Sequence, residues 1–369
     1  MNAAFFYKNY LICFLFFLTP YLSFAATKDV KIFYWANAIP KSVFTDFEKE
    51  TGLNTISTIF DSDELLEAKL YAGLTGFDVI ILTANPFLPN HLKAKFYQKL
   101  DKSKLPNYKN LDPLILKKLL NYDSDNLYTI PFSWGSAGMG IDRDKVLKIM
   151  PDAPINSWKL FFDPNILKNF QKCGIAVVDS STEILPLMLH YLGYDPHSLK
   201  LDELNHAKEA LLKIRPYIKE INNSNYISNF ANGDLCLALG WSGNILQARN
   251  AARESKNGIN ITYHLANELT PMWIDIMAIH HEAPNPDGAH QFLNFMMRPD
   301  IAARITNETG FANGNLSSHP LIEPDLINDK TLFPPPEIIE RFHMDHPAPL
   351  RYEQKRVRVW EQFKSNSKE

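Results

Sequence analysis

The sequence has no excess of charge that would indicate a nucleic-acid partner. Of its 369 residues, 38 are Lys or Arg and 41 are Asp or Glu, which gives a net charge of −3. No segment alternates basic and aromatic residues, so we expect no nucleic-acid partner. The apolar fraction of 46% and the charged fraction of 21% are ordinary for a globular protein. A chain of this length fits two domains.

The sequence also lacks the common catalytic and metal-binding motifs. It contains no glycine-rich phosphate loop. The stretch GWSGN has Asn244 where a nucleophile elbow needs glycine. The segment HHE at 280–282 has no second histidine at the spacing of a zinc-protease helix. His343 and His346 have a possible ligand spacing without an evident third ligand, so we interpret them as surface histidines. We therefore expect a protein that is not an enzyme and uses no cofactor or metal.

Long apolar runs are scarce, and the clearest is near the N-terminus. The run LICFLFFL at 11–18 follows Lys8, and small residues come after it in SFA at 23–25. A positive start, a short apolar run and small residues at the cleavage position are typical of a signal peptide. We therefore predict that residues 1–25 are the signal peptide of an exported protein. A membrane anchor is the alternative, although the run is short for a bilayer span.

Cysteine is rare as well, with three in the chain. Removal of the predicted signal peptide leaves two, Cys173 and Cys236. Two cysteines in an exported chain can form one disulfide. Two buried free thiols are the other interpretation. On the residues alone both interpretations stay open.

The first part of the chain alternates strand and helix patterns. Between the strands, one helix is predicted from Ser42 as N-cap to Gly52 as C-cap, and a second begins at Asp61-Ser62-Asp63. This order is typical of an α/β domain with a mainly parallel sheet. The predicted strands are VKIFYW (30–35), NTISTIF (54–60) and GFDVIIL (76–82).

A second α/β pattern follows the segment YTIPFSWG at 128–135. Apolar, β-branched segments again predict strands, and helix-period segments lie between them. The predicted strands are 174–179, 234–240, 261–266 and 272–279. The predicted helices lie near 182–193, 202–214, 244–255, 289–297, 300–309 and 352–363.

Aromatic and small polar side chains follow several predicted strands at the point where each ends. Ligands of open α/β sheets bind outside the carboxyl ends of the strands, so we expect these side chains to line a cleft between two lobes. Core packing is the alternative for each tryptophan taken alone. The residues are Trp35, Asn37, Thr83, Asn85, Glu183, Trp241 and Asn244.

The strand MWIDIMAI at 272–279 carries a carboxylate in an otherwise apolar run. Strand side chains alternate between faces, so Trp273 and Asp275 point the same way. An alkylammonium group is attracted to the face of an aromatic ring and, once buried, needs an anion. The pair is therefore suited to hold an organic cation.

Several longer segments are distinctive when taken together and in order. They include STIFDSDELLEAKLYAGLTGFDVIIL, YTIPFSWGSAGMGID, YISNFANGDLCLALGWSGN and QFLNFMMRPDIAARI. Together they resemble the periplasmic polyamine-binding proteins of ABC transporters, the spermidine/putrescine type, and more closely the putrescine branch. The resemblance implies an α/β fold of two lobes, like a type II periplasmic binding protein, with the ligand cleft between the lobes.

This resemblance implies a periplasmic protein that captures a polyamine such as putrescine or spermidine for a membrane permease, and we expect a monomer. The first lobe is predicted to contain 26–134 with about 259–306. The second is predicted to contain about 135–258 with 307–369. Cys173 and Cys236 fall where the putrescine branch has a cysteine pair, which favours the disulfide.

The same resemblance assigns roles to the candidate residues. Trp273 and Asp275 match the aromatic ring and the carboxylate that hold one end of the polyamine. Glu183 matches the acidic residue of the second lobe. The remaining matches are the aromatic walls Trp35 and Trp241 and the small polar groups Thr83 and Asn85.

Five positions depart from the putrescine branch. Ala36-Asn37 stands for Ser-Asp, Asn244 stands for an aspartate, and Ala38 and Phe311 stand for tyrosines. Two expected carboxylates are thus amides, which predicts a putrescine site weaker by roughly 10- to 100-fold. The alternatives are a longer polyamine, a monoamine, or an amino acid or sugar ligand. A sensor or a module that binds a partner on its outer face is a further alternative.

Overall fold

The computed structural model describes residues 28–365, and the predicted signal peptide at 1–25 lies outside them. Strands and helices alternate along the chain as the sequence predicts. The strands are β1 Asp29–Trp35, β2 Asn54–Phe60, β3 Val79–Thr83, β4 Thr129–Asp142, β5 Ile175–Val177, β6 Glu220–Ile221, β7 Leu237–Trp241, β8 Ile261–His264, β9 Met272–Ile279 and β10 Ala312–Asn313.

The α-helices lie between the strands and after the last of them in chain order, and short 3₁₀ helices connect some of the elements. They are α1 Lys41–Thr51, α2 Asp63–Tyr71, α3 Leu88–Lys93, α4 Pro113–Leu119, α5 Arg143–Ile149, α6 Lys159–Phe162, α7 Pro164–Leu167, α8 Ser181–Tyr191, α9 Leu201–Ile214, α10 Asn225–Ala231, α11 Ser242–Glu254, α12 Pro286–Met296, α13 Pro299–Thr309, α14 Pro324–Ile327, α15 Pro336–Ile339 and α16 Leu350–Ser365.

The strands pair in the order β2-β1-β3-β9-β4-β7-β5-β6, and β8 and β10 also pair with β4. Parallel pairs occur toward both ends of this order, namely β1 with β2 and β3, and β5 with β6 and β7. The central pairs, β3 with β9 and β4 with β9 and β7, are antiparallel. The sheet is therefore mixed, because β9 is antiparallel to β3 and β4, and β4 is antiparallel to β9 and β7.

Strand β4 connects the two parallel groups and is buried along its whole length. Its residues 129–136 pair with β9, and its residues 137–141 pair with β7. Strand β8, assigned by the prediction to the first lobe, pairs with residues 139–142 of β4, in the portion that also pairs with β7. The division of the chain into lobes stays a prediction.

Several helix ends have the capping residues that the sequence predicts. Ser62 Oγ accepts a hydrogen bond from Leu65 N at 3.1 Å at the start of α2. Gly52 and Gly310 end α1 and α13 in the left-handed region, with φ of 69° and 75°. The predicted cap at Ser42 is wrong. Helix α1 begins one residue earlier, after Pro40, whose extended conformation already places its carbonyl to accept from Val43 N.

The predicted disulfide joins Cys173 and Cys236, whose Cα atoms are 5.5 Å apart. It ties the turn before β5 to the start of β7. Within residues 28–365, we find no helix that is long and apolar enough to cross a membrane.

Candidate functional site

One cleft of about 790 Å³, open to solvent, is lined by all ten residues predicted to bind ligand. Seven of them lie at or after the ends of β1, β3, β5 and β7, as the rule for α/β sheets predicts, while Trp273 and Asp275 lie on β9 and Phe311 precedes β10. Together they combine aromatic rings, hydroxyls, amides and two buried carboxyls. They are Trp35, Asn37, Thr83, Asn85, Glu183, Trp241, Asn244, Trp273, Asp275 and Phe311.

Asp275 is positioned by the strands on either side of β9. It is in register with Thr83 on β3 and with Ser133 on β4. Thr83 Oγ1 donates to Asp275 Oδ1 at 2.9 Å, and Ser133 Oγ donates to Oδ2 at 3.2 Å. Burial raises the pKa of Asp275 to about 7, although the two hydroxyl donors act in the opposite direction. The carboxyl is thus fixed in place and poorly solvated.

Glu183 provides the second carboxyl, from the first turn of α8. Trp241 Nε1 donates to Glu183 Oε2 at 2.7 Å, which links α8 to the end of β7. Burial raises the pKa of Glu183 to about 7, while the hydrogen bonds from Trp241 and Ser180 lower it. Within residues 28–365, no cationic side chain lowers the pKa of either carboxyl. The environment of each carboxyl is therefore suited to binding a positively charged ligand.

Aromatic rings form the walls of the cleft. Trp35 packs on Phe60 with ring centroids 4.6 Å apart and faces Trp241 edge-on at 6.4 Å. Trp273 and Phe311 meet edge to face at 5.5 Å. Such walls combine apolar contact with the electron-rich faces that attract an ammonium group.

Two glycines leave space for the rings of Trp273 and Phe311. A Cβ on Gly135 would lie 2.4 Å from Trp273 Cζ2, and a Cβ on Gly243 would lie 2.2 Å from Phe311 Cδ1. Neither distance is possible for real atoms. The aromatic wall therefore depends on the absence of a side chain at these positions.

The three asparagines of the site differ in what they contact. The side-chain amide of Asn85 makes two hydrogen bonds to the backbone of β9. Its Nδ2 donates to Met272 O at 3.0 Å, and its Oδ1 accepts from Ile274 N at 3.3 Å. It therefore positions the strand that carries Asp275. Asn244 is buried, and Asn37 is exposed at the cleft with φ of 62°.

The structure adds residues to the cleft that the sequence analysis missed. Asp61 and Asp63 line it, although we assigned them only to the start of a helix. Because β2 ends at Phe60 beside β1, the strand-end rule applied to β2 would have found Asp61. The other additions are Ser133, Ser180, Thr182, Asn223 and Ser224, together with Ala36 and Ala38.

Asn223 joins the two ends of the sheet across the cleft. Strands β2 and β6 are the outermost strands of the pairing order, yet Asn223, just after β6, donates from Nδ2 to Asp61 O, just after β2, at 3.0 Å. The same side chain is held by Asp179 through two further hydrogen bonds. Asn223 therefore forms a direct link between segments that follow the two outermost strands, and both Asn223 and Asp61 line the cleft.

Comparison with known proteins identifies the fold family. The bacterial extracellular solute-binding protein family matches residues 42–335, most of the chain. The chain belongs to this family. The match confirms the expectation of a binding protein rather than an enzyme.

Relatives of this solute-binding protein include two periplasmic proteins described as putrescine-binding. One is SpuD of Pseudomonas aeruginosa strain UCBPP-PA14, 41% identical over 342 residues that cover 92% of this chain and 93% of the relative. The other is PotF of Escherichia coli strain K12, 38% identical over 343 residues that cover 92% of each. The resemblance to periplasmic polyamine-binding proteins is thereby confirmed, and so is the predicted periplasmic location.

Solved structures agree with the fold of this solute-binding protein. The spermidine/putrescine ABC transporter substrate-binding protein PotD from Streptococcus pneumoniae has a TM-score of 0.72 at 25% identity, covering 92% of this chain and 99% of that chain. The predicted two-lobed α/β fold is therefore confirmed.

Replacing Gly243 by alanine should displace the ring of Phe311. Alanine has a higher helix propensity than glycine by about 1 kcal/mol. A net loss of stability in the variant would therefore come from the clash with Phe311, for which we expect a cost of about 1–3 kcal/mol. Urea unfolding of the Gly243→Ala variant measures it. In a Phe311→Ala background the same substitution should be neutral or stabilising. Equal effects in both backgrounds would contradict this packing.

Proposed function

We propose that the protein captures a polyamine of the putrescine class in this cleft, as the periplasmic component of an ABC uptake system. The observation that carries the proposal is a pair of buried carboxyls, Asp275 and Glu183, set among aromatic walls in one cleft. The names of the relatives SpuD and PotF support it.

The chemistry of the cleft fits a short chain with an ammonium group at each end. We assign one end to Asp275, beside Trp273, and the other to Glu183, beside Trp241. A buried ammonium group needs an anion, and a charged hydrogen bond contributes about 1.5–3 kcal/mol. The aromatic rings cover the methylene chain and stabilise the cationic ends. Because each end of the amine has its own binding site, the pocket can also select amines by their length.

The carboxylates Asp61 and Asp63 partly offset the amides at Asn37 and Asn244. They line the cleft and contribute negative potential near its mouth, where potential raises the local concentration of cations. We therefore propose that the amide replacements shift the preferred amine rather than remove amine binding.

A membrane permease is the proposed partner that receives the ligand, with the binding protein acting as a monomer. Capture in a cleft that closes over its ligand is the usual way in which two-lobed binding proteins work. The link between Asn223 and Asp61 is consistent with a closed arrangement.

Thermal unfolding with a panel of ligands tests the function. The panel contains putrescine, cadaverine, agmatine, spermidine and spermine, with neutral amino acids and sugars as controls. A ligand at 100 times its dissociation constant stabilises the native state by about 2.7 kcal/mol. We expect stabilisation by at least one amine and none by the controls. A response to a control alone would move the function to that ligand, and a folded protein with no response would favour a sensor or partner-binding role.

Asp275→Asn and Glu183→Gln should each weaken amine binding by at least about 30-fold. Each leaves a buried cation without its anion, for which the expected cost is about 2–5 kcal/mol. The ligand-free variants should be at least as stable as the parent at pH 8, because each removes a buried charge. Isothermal titration calorimetry measures the affinity, and urea unfolding measures the stability.

Asp325→Asn is the matched control, since Asp325 is exposed and is not among the residues that line the cleft. It removes the same charge from the protein without touching the site. Equal weakening in the control and in Asp275→Asn would point to a long-range charge effect and would sink the assignment of Asp275.

Amine affinity should rise with pH between about 5 and 8. The pKa of each carboxyl is about 7 in the ligand-free protein, so protons compete with the amine below that pH, while the amine itself stays charged. Well below pH 7 the affinity should change by up to about 100-fold per pH unit, tenfold for each carboxyl. At pH 7 each carboxyl should release about half a proton when the amine binds.

Calorimetry in two buffers of different ionisation enthalpy counts the released protons. Glu183→Gln should halve the slope of log affinity against pH. An affinity that does not change between pH 5.5 and 8 would show that neither carboxyl meets the cation.

A further inference from the structure

A second cluster of polar side chains lies outside the ligand cleft. It borders a cavity of about 560 Å³ between the C-terminal half of α8, the loop after it and the segment 345–348, and none of the residues lining this cavity lines the cleft. His197, from that loop, meets His343 and Asp345 there. His346 is exposed, and His343 is half-buried in this cluster. Its third partner, His197, is 146 positions away in the sequence, where no spacing rule could find it.

The three side chains are close enough to share one ion. Each offers one ligand atom, and these atoms all lie within 4.8 Å of one another. The rings of His197 and His343 have centroids 4.3 Å apart, and His346 stacks on His197 at 3.6 Å. Tetrahedral zinc holds its nitrogen and oxygen ligands at about 2.0–2.2 Å, so small side-chain rotations would bring the set together.

Two nitrogen atoms of the cluster are buried without a partner. Within the part of the chain that the structure describes, neither His197 Nδ1 nor His343 Nε2 has a hydrogen-bond partner. An unmade hydrogen bond on a buried polar atom costs about 1–3 kcal/mol. A metal ion would satisfy such nitrogens with the lone pairs that a neutral imidazole offers.

Asp345 supplies the carboxylate of the cluster. Asp345 Oδ2 accepts from Arg356 Nη1 at 2.5 Å, and Oδ1 accepts from His346 N at 3.0 Å. Each carboxylate oxygen has two lone pairs, so an acceptor position remains on Asp345.

We propose that His197, His343 and Asp345 form a binding site for a divalent transition metal of the zinc class. Two imidazoles and one carboxylate are a donor set that zinc accepts with three protein ligands, and the fourth position would take water or His346. The ion would connect the loop between α8 and α9 to the segment before α16.

The site is also attached to the strand that carries Asp275. His343 N donates to Thr270 O at 2.9 Å, and His343 O accepts from Met272 N at 2.6 Å. Met272 is the first residue of β9. Metal binding would therefore fix the entry to this strand without any contact with the amine.

Metal titration of the protein tests the proposal. The protein is made without a polyhistidine tag, freed of metal with a chelator, and titrated with Zn²⁺ against a chromophoric chelator. We expect one equivalent to bind and the thermal midpoint to rise. His197→Gln and His343→Gln should each weaken Zn²⁺ binding by at least about 10-fold. His281→Gln, at an exposed histidine outside the cluster, is the matched control and should bind as the parent does.

X-ray absorption of the Zn²⁺ form of the parent protein keeps the test independent of any variant that fails to fold. Two imidazole ligands in the spectrum are expected, or three if His346 joins. No bound equivalent, one or no imidazole, or binding that both variants leave unchanged would overturn the proposal. None of these results depends on which ligand the cleft takes.

Discussion

Backbone pairing along β4 is the constraint on which the site depends. One fourteen-residue strand is hydrogen-bonded to β9 through its first part and to β7 and β8 through its last part. Strand β9, which carries Asp275, and the end of β7, which carries Trp241, are therefore fixed relative to one another by main-chain hydrogen bonds. Side chains that are far apart in sequence reach one cleft because this strand serves both groups of strands.

The burial of two carboxyl groups is the second constraint, and it affects the stability of the ligand-free protein. Asp275 and Glu183 are each more than nine-tenths buried, and the donors around them are neutral hydroxyls and an indole. An arginine or lysine partner would satisfy these carboxyls more fully and would also fill the place of a cationic ligand. The site is thus less stable than it could be, and that deficit is what makes an ammonium ion attractive to it.

Local sequence rules predicted most of the fold and much of the cleft. The alternation in MWIDIMAI placed Trp273 and Asp275 on one face, and β9 has the predicted bounds. The strand-end rule placed Trp35 and Trp241 in the cleft. These predictions succeeded because each depends on a short-range geometric period or on the end of a recognisable strand.

What the sequence could not supply depends on contacts between distant segments. Asn85 was predicted as a ligand-binding group, and only the pairing of β3 with β9 shows that its amide holds the backbone of β9. The neighbour of His343 in the fold is His197, which precedes α9 and is far from His343 in the sequence. Ser42 satisfied the composition rule for an N-cap, but Pro40 was already placed to begin the helix.

The carboxamide of Asn223 has a kinetic consequence. Its bond to Asp61 O joins the segments that follow the two outermost strands, and it would have to break if these strands separate as the proposed cleft opens. A bond of this kind contributes about 0.5–1.5 kcal/mol, and each 1.4 kcal/mol changes a rate by about tenfold when it is lost in the transition state. A single amide can therefore set how long a cargo molecule dwells in the cleft before it is handed on, and so the pace of import at a given occupancy.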